Sequence, residues 1–145
     1  MENGVVLCGL ALLAADDIRR RQINVIFLLG LSIFIFLCHL ILGSRSLFDI
    51  AAGASVGAFL LLLSAVTKGR IGVGDGLLFL LVIGPAAGFV ATLQVLFLAT
   101  LLSGLSAALL LAGRRILKKE QAEEVPFVPF VLAAFIAVVI FGGMR

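Results

Sequence analysis

The chain has 145 residues, 63% of them hydrophobic and only 13% charged, against about 25% charged in an ordinary soluble domain. A soluble protein of this length could not hide so much apolar side chain, and no polar segment is long enough to make a separate soluble unit, so residues 1–145 read as one membrane-embedded domain. The formal net charge is only +3, so the placement of charge matters more than its sum, and no nucleic-acid partner is expected.

Span 1 is predicted from Asn3 through Asp17, a short segment that a bilayer accommodates by thinning locally. It does not read as a signal peptide, because no basic stretch precedes it and acids and arginines follow directly. The first polar island, Asp16-Asp17-Ile18-Arg19-Arg20-Arg21-Gln22-Ile23-Asn24, comes next. Span 2 runs from about Ile23 to Leu42. Span 3 runs from about Phe48 to Val66, with Asp49 as its N-cap, where a helix tolerates an anion. Its small residues Ala51, Ala52, Gly53, Ala54, Gly57 and Ala58 offer a face for close helix contact.

Thr67-Lys68-Gly69-Arg70 then leads into Gly72-Val73-Gly74-Asp75-Gly76, a glycine-rich turn carrying one carboxylate. Leu77 to Gly113 is uncharged and far too long for one span of about 20 residues. Gly84-Pro85-Ala86-Ala87-Gly88 reads as the turn that divides it. Span 4 is therefore about Leu77 to Ile83 plus a turn at either end, and span 5 about Phe89 to Leu111. A second basic island covers Arg114 to Glu124, and span 6 runs from about Pro126 to Phe141. Sixteen glycines with no tryptophan or tyrosine suit tightly packed helices that lack the usual aromatic belt.

The predicted fold class is all-α: a polytopic membrane protein of six transmembrane helices with both termini extracytoplasmic. That arrangement puts residues 16–24, 67–76 and 114–124 on one side. Arg19, Arg20, Arg21, Lys68, Arg70, Arg114, Arg115, Lys118 and Lys119 all fall there, nine of the eleven basic residues. Positive charge stays cytoplasmic, so this side is the cytoplasm.

The topology brings Asp16 or Asp17, at the cytoplasmic end of span 1, to the depth of Asp75, at the cytoplasmic start of span 4. An acid at the edge of a bilayer is costly and usually has a function. Two carboxylates in one partly dry pocket cannot comfortably both ionise, so one holds a proton while the other is charged. Such a pair can activate water against an amide carbonyl and protonate the departing nitrogen. Which acid takes which role is open, because the helix ends and the arginines act on Asp17 in opposite senses.

Each residue also has a plainer role. Asp75 could be a turn or N-cap residue, and Asp16 and Asp17 could pair with the arginines three and four residues on. The basic clusters suit lipid headgroups, and His39 suits an interior position. Cys8 and Cys38 read as buried small apolar residues, with no CxxC spacing. No metal or organic cofactor is expected, since histidine and cysteine are not clustered.

Gly72-Val73-Gly74-Asp75 followed by Leu77-Leu78 resembles the GxGD signature of intramembrane aspartic proteases, and specifically the type IV prepilin peptidase family. The first island resembles that family's other motif, an aspartate followed by basic residues and then Ile-Pro-Asn. Counting back six from Ile23, which precedes Asn24, selects Asp17 over Asp16. Val125-Pro126-Phe127-Val128-Pro129-Phe130 is similar to the Pro-Phe-x-Pro-Phe opening of the family's last helix. The proline between Ile23 and Asn24 is absent, and Leu77 stands where lysine is common.

The resemblance implies Asp17 and Asp75 as catalytic residues, with Gly72, Gly74, Gly76, Asn24, Pro126 and Phe127 binding substrate or shaping the site. The glycines would let the chain approach an extended peptide closely. It implies a pilin-like precursor as substrate, cut between a polar leader and an apolar helix at the cytoplasmic face of the inner membrane. Membrane lipid is the other partner. Larger relatives carry an insertion with paired CxxC motifs that goes with N-methylation; this chain has neither, so cleavage without methylation is implied. A presenilin-like or signal-peptide-peptidase-like protease shares GxGD but carries a Pro-Ala-Leu motif not found here. A non-catalytic channel, transporter or assembly subunit, with acids that bind or relay cations, is the alternative from another class.

Overall fold

The computed structural model describes residues 2–20, 25–42, 46–67, 72–117 and 126–141. Among them every regular element is helical and no strand occurs. Six helices follow in chain order: α1 Glu2–Arg20, α2 Val25–Leu42, α3 Leu47–Val66, α4 Val73–Ala87, α5 Phe89–Leu117 and α6 Val128–Phe141. By length and composition two are able to cross a membrane, α3 and the Phe89–Ala112 part of α5, while α2, α4 and α6 are apolar but shorter. Large apolar side chains cover the outside; Ile26, Phe48 and Phe141 are each more than 80% exposed. A continuous apolar exterior of this kind suits hydrocarbon, not water.

Inside, one buried cluster joins Leu10 and Leu13 of α1, Leu28 of α2, Leu78, Phe79 and Ile83 of α4, Val95 of α5 and Val131 and Phe135 of α6. Helix α4 supplies the largest share of that cluster, with Leu78, Phe79, Val82, Ile83, Ala86 and Ala87. Its tightest neighbour is α3. A Cβ on Gly53 would overlap the Gly84 carbonyl, and one on Gly57 would overlap the Leu80 backbone. The small-residue face expected on span 3 is thus used for backbone-on-backbone packing, although Ala51 and Ala58 of that set face outward.

The glycine turns differ from expectation. Residues Val73–Leu78 already form the first turns of α4, so Asp75 lies inside a helix and not in a loop before it. The helix also passes through Gly84-Pro85, and the break comes at Gly88 (φ 76°). Proline lacks the N–H that would bond back to the preceding turn and crowds its carbonyl. Here the stretch just before it, Phe79–Ile83, widens into a π-helix, which is a usual way for a helix to absorb such a fault. Gly88 then takes the left-handed conformation that glycine adopts most easily, its N–H closing on the Gly84 carbonyl at 3.0 Å.

Three smaller expectations also shift. The N-cap of α3 is Ser46, whose Oγ accepts from the Asp49 N–H at 3.1 Å and donates to the Asp49 carboxylate at 2.9 Å; Asp49 sits one turn in, as in a capping box. Cys8 is exposed and Cys38 half-buried, both as free thiols. The helix of span 5 continues to Leu117, past Arg114 and Arg115, since arginine is itself a good helix former.

Candidate active site

The site begins with the buried stripe of α1. Val6, Leu10, Leu13 and Ala14 recur at helical spacing on the face turned to the core, and Asp17 continues that face, 7% exposed. Its neighbour Asp16, about 100° further round the helix, is half-buried instead. There it lines an open groove between α1 and α2 with Leu12, Leu13, Ala15, Arg19 and Phe27. Asp17 and Asp16 therefore look into different surroundings.

At its other end α1 meets α4 and α2. Val5 and Val6 share a small apolar cavity with Ala86 of α4 and with Ile35, Cys38 and His39 of α2; His39 is buried there. The start of α1 lies by the end of α4, so the two helices run antiparallel. Eleven residues separate Val6 from Asp17, and eleven separate Asp75 from Ala86. At 1.5 Å per residue Asp17 stands about 16 Å along α1 from the shared cavity, and Asp75 stands the same number of residues along α4, a somewhat shorter way because Phe79–Ile83 is π-helical. Consistent with that, the Asp17 charge acts on Asp75, whose surroundings remove much of its water.

Asp75 occupies the third position of α4. Its N–H donates to the Gly72 carbonyl at 3.2 Å, and its carboxylate folds back over Gly72, where a Cβ would stand 2.8 Å from Oδ2. Gly72 thus leaves room for the acid. Gly76 serves packing, since a Cβ there would lie 2.7 Å from Leu61 Cδ2 and 3.2 Å from the Leu61 backbone nitrogen. It is buried against α3, so its bare backbone is not open to a peptide, contrary to the expectation for all three glycines. Gly74 is half-buried in the same turn.

Against Asp17 stands the start of α6. Asp17 Oδ2 accepts a hydrogen bond from the Val128 backbone N–H at 3.2 Å. Pro126 and Phe127, both half-buried, lead into that helix, and the Phe127 carbonyl accepts from the N–H groups of Phe130 and Val131. Asn24 lies outside the described residues. The Val128 amide was not among the residues singled out from the sequence, because a main-chain donor leaves no mark in the residue type. Among the described residues no three His, Cys, Asp or Glu side chains are grouped as a metal would require.

Fold and site together describe an all-helical membrane protein that carries two acids, Asp17 near the end of α1 and Asp75 near the start of α4. The model of the type IV leader peptidase family matches residues 4–109, a segment that includes both Asp17 and Asp75, and the chain belongs to that family. It is accordingly a leader-peptidase-like protease. No curated protein and no solved structure matches the chain.

Proposed function

We propose that the chain is an aspartic endopeptidase that removes the leader from pilin-like precursors, with Asp17 and Asp75 as its catalytic pair. What supports this reading is that Asp17 lies near the end of α1 and Asp75 near the start of α4, with the Asp17 charge reaching Asp75. One carboxylate takes a proton from a water molecule as the water oxygen bonds to the scissile carbonyl carbon. The other, protonated, gives its proton to the amide nitrogen as the C–N bond breaks. The products are a leader ending in a carboxylate and a mature chain with a free amine. No metal or organic group takes part in this scheme, and no methyl transfer is expected of it.

Placement follows from charge. With six spans and nine of eleven basic residues on the side that carries Asp17 and Asp75, the acids face the cytoplasm and both termini lie across the inner membrane. A precursor whose polar leader stays in the cytoplasm, and whose following helix enters the bilayer, presents its junction at that depth. The groove beside Asp16 and Arg19 is open at the same level.

The test is cleavage by the purified chain in lipid vesicles, using a precursor with a short basic leader ending in glycine before an apolar helix. One cut at the junction is expected. Asp16→Asn should cleave within about threefold of the parent, a barrier change of roughly 0.6 kcal/mol, since Asp16 faces the groove. No cleavage by the parent would refute the function; loss of cleavage in Asp16→Asn would move the catalytic role away from Asp17.

A further inference from the structure

The start of α6 holds Asp17 with a single donor. A helix leaves its first four N–H groups without partners inside the helix, and here each of the four is accounted for. Pro129 has no N–H. Those of Phe130 and Val131 donate to the Phe127 carbonyl, at 3.0 and 3.2 Å. The N–H of Val128 is the one left, and it donates to Asp17 Oδ2 at 3.2 Å. Val128 is fully buried and Asp17 nearly so, so water does not readily replace either partner.

We infer that the Val128 amide is a positioning group for the cleavage reaction: it fixes the Asp17 carboxylate by one oxygen and leaves the other for the reacting water. This role rests on the peptidase reading proposed above. A carboxylate at the end of α1 can otherwise turn about its last side-chain torsion, which is broad for aspartate. Pinning Oδ2 removes that freedom, and a catalytic group already set in its working orientation loses less when the transition state forms. The two prolines gain a physical role from this arrangement. Pro126 stands two residues before the donor, and Pro129 deletes the next N–H along the helix, so among the four N–H positions that open α6 Val128 is the one that donates to Asp17. Val128 also lies beyond residue 109, where the family match ends, so the device belongs to a part of the chain that the match does not cover.

The decisive variant is Val128→Pro, which removes the donor at a helix position where proline is well tolerated. Val128→Ala keeps the N–H and serves as its counterpart. The expected result is a kcat lowered by about 10- to 100-fold in Val128→Pro, as loss of a hydrogen bond to a charged group implies, with KM within about twofold and with Val128→Ala close to the parent. Val128→Pro cleaving at the parent kcat, or failing through KM alone, overturns the positioning role while the parent's own cleavage keeps the peptidase reading standing. Amide hydrogen exchange supplies a readout that needs no activity and no altered α6. In Asp17→Ala the Val128 amide should exchange at least about 10-fold faster than in the parent, the Val131 amide remaining as it was. Unchanged protection at Val128 overturns the proposal even if Val128→Pro does not fold. A parent that cleaves nothing removes the function and this role with it.

Discussion

Asp75→Asn and Asp17→Asn each lower precursor cleavage by about 10³-fold or more, with the folded protein still present in the membrane. The size of the effect comes from the division of labour between two acids. Water is a poor nucleophile and an amide nitrogen a poor leaving group, so losing either the proton acceptor or the proton donor leaves the reaction without half of its machinery. Asparagine is the informative replacement because it is isosteric. At position 17 its side-chain oxygen can still accept from the Val128 N–H, so the contact between α1 and α6 persists. At position 75 it still fits over Gly72. A folded, correctly inserted Asp17→Asn or Asp75→Asn that cleaves at the parent rate contradicts the two-acid mechanism.

The second large effect is on stability. Gly57→Ala should destabilise the protein by about 3 kcal/mol or more, at the upper end for overpacking, because the added methyl overlaps the Leu80 backbone, which cannot swing aside as a side chain would. Gly53 and Gly84 form a second such contact, with a Cβ on Gly84 only 2.5 Å from the Gly53 carbonyl carbon and oxygen. Pushing α3 off α4 also displaces the helix that carries Asp75, so cleavage should fall along with the unfolding midpoint. Gly104→Ala is the control: nothing lies within 4 Å of the added Cβ, and alanine is the better helix former. Thermal unfolding in detergent or vesicles separates the two, and equal midpoints for Gly57→Ala and the parent contradict the packing.

These two effects mark what could be read directly from the residues. Long apolar runs placed α2, α3, α6 and the start of α5 to within a few residues, because helices in hydrocarbon are built from such runs; the end of α5 ran on into the basic residues. The glycines of α3 announced close packing, and the structure uses Gly53 and Gly57 for it. The choice between Asp16 and Asp17 rested on motif spacing, yet a purely physical signal was present: Val6, Leu10, Leu13 and Asp17 share one helical stripe, and Asp16 is off it.

What was hidden depends on backbone rather than side chains. Gly84-Pro85 looks like punctuation, but the widened stretch Phe79–Ile83 lets α4 run on to Gly88, and no residue in that stretch signals a π-turn. Gly72 to Gly76 looks like a loop for the same reason, although Gly72 gives space to Asp75 as the N-cap of α4 and Gly76 gives space to α3 from within the helix. The Val128 N–H was invisible because every residue except proline has one. Only the prolines around it, at 126 and 129, hinted that this helix start was specially arranged.

The convergence of Asp17 and Asp75 is tested most directly by thiol cross-linking in membranes. With Cys8 and Cys38 first replaced by alanine, the pair Asp17→Cys and Asp75→Cys should be joined rapidly by a short bifunctional thiol reagent, and the pair Asp16→Cys and Asp75→Cys much more slowly. If the thiols at 17 and 75 each react singly but are never joined, the two acids do not share a site.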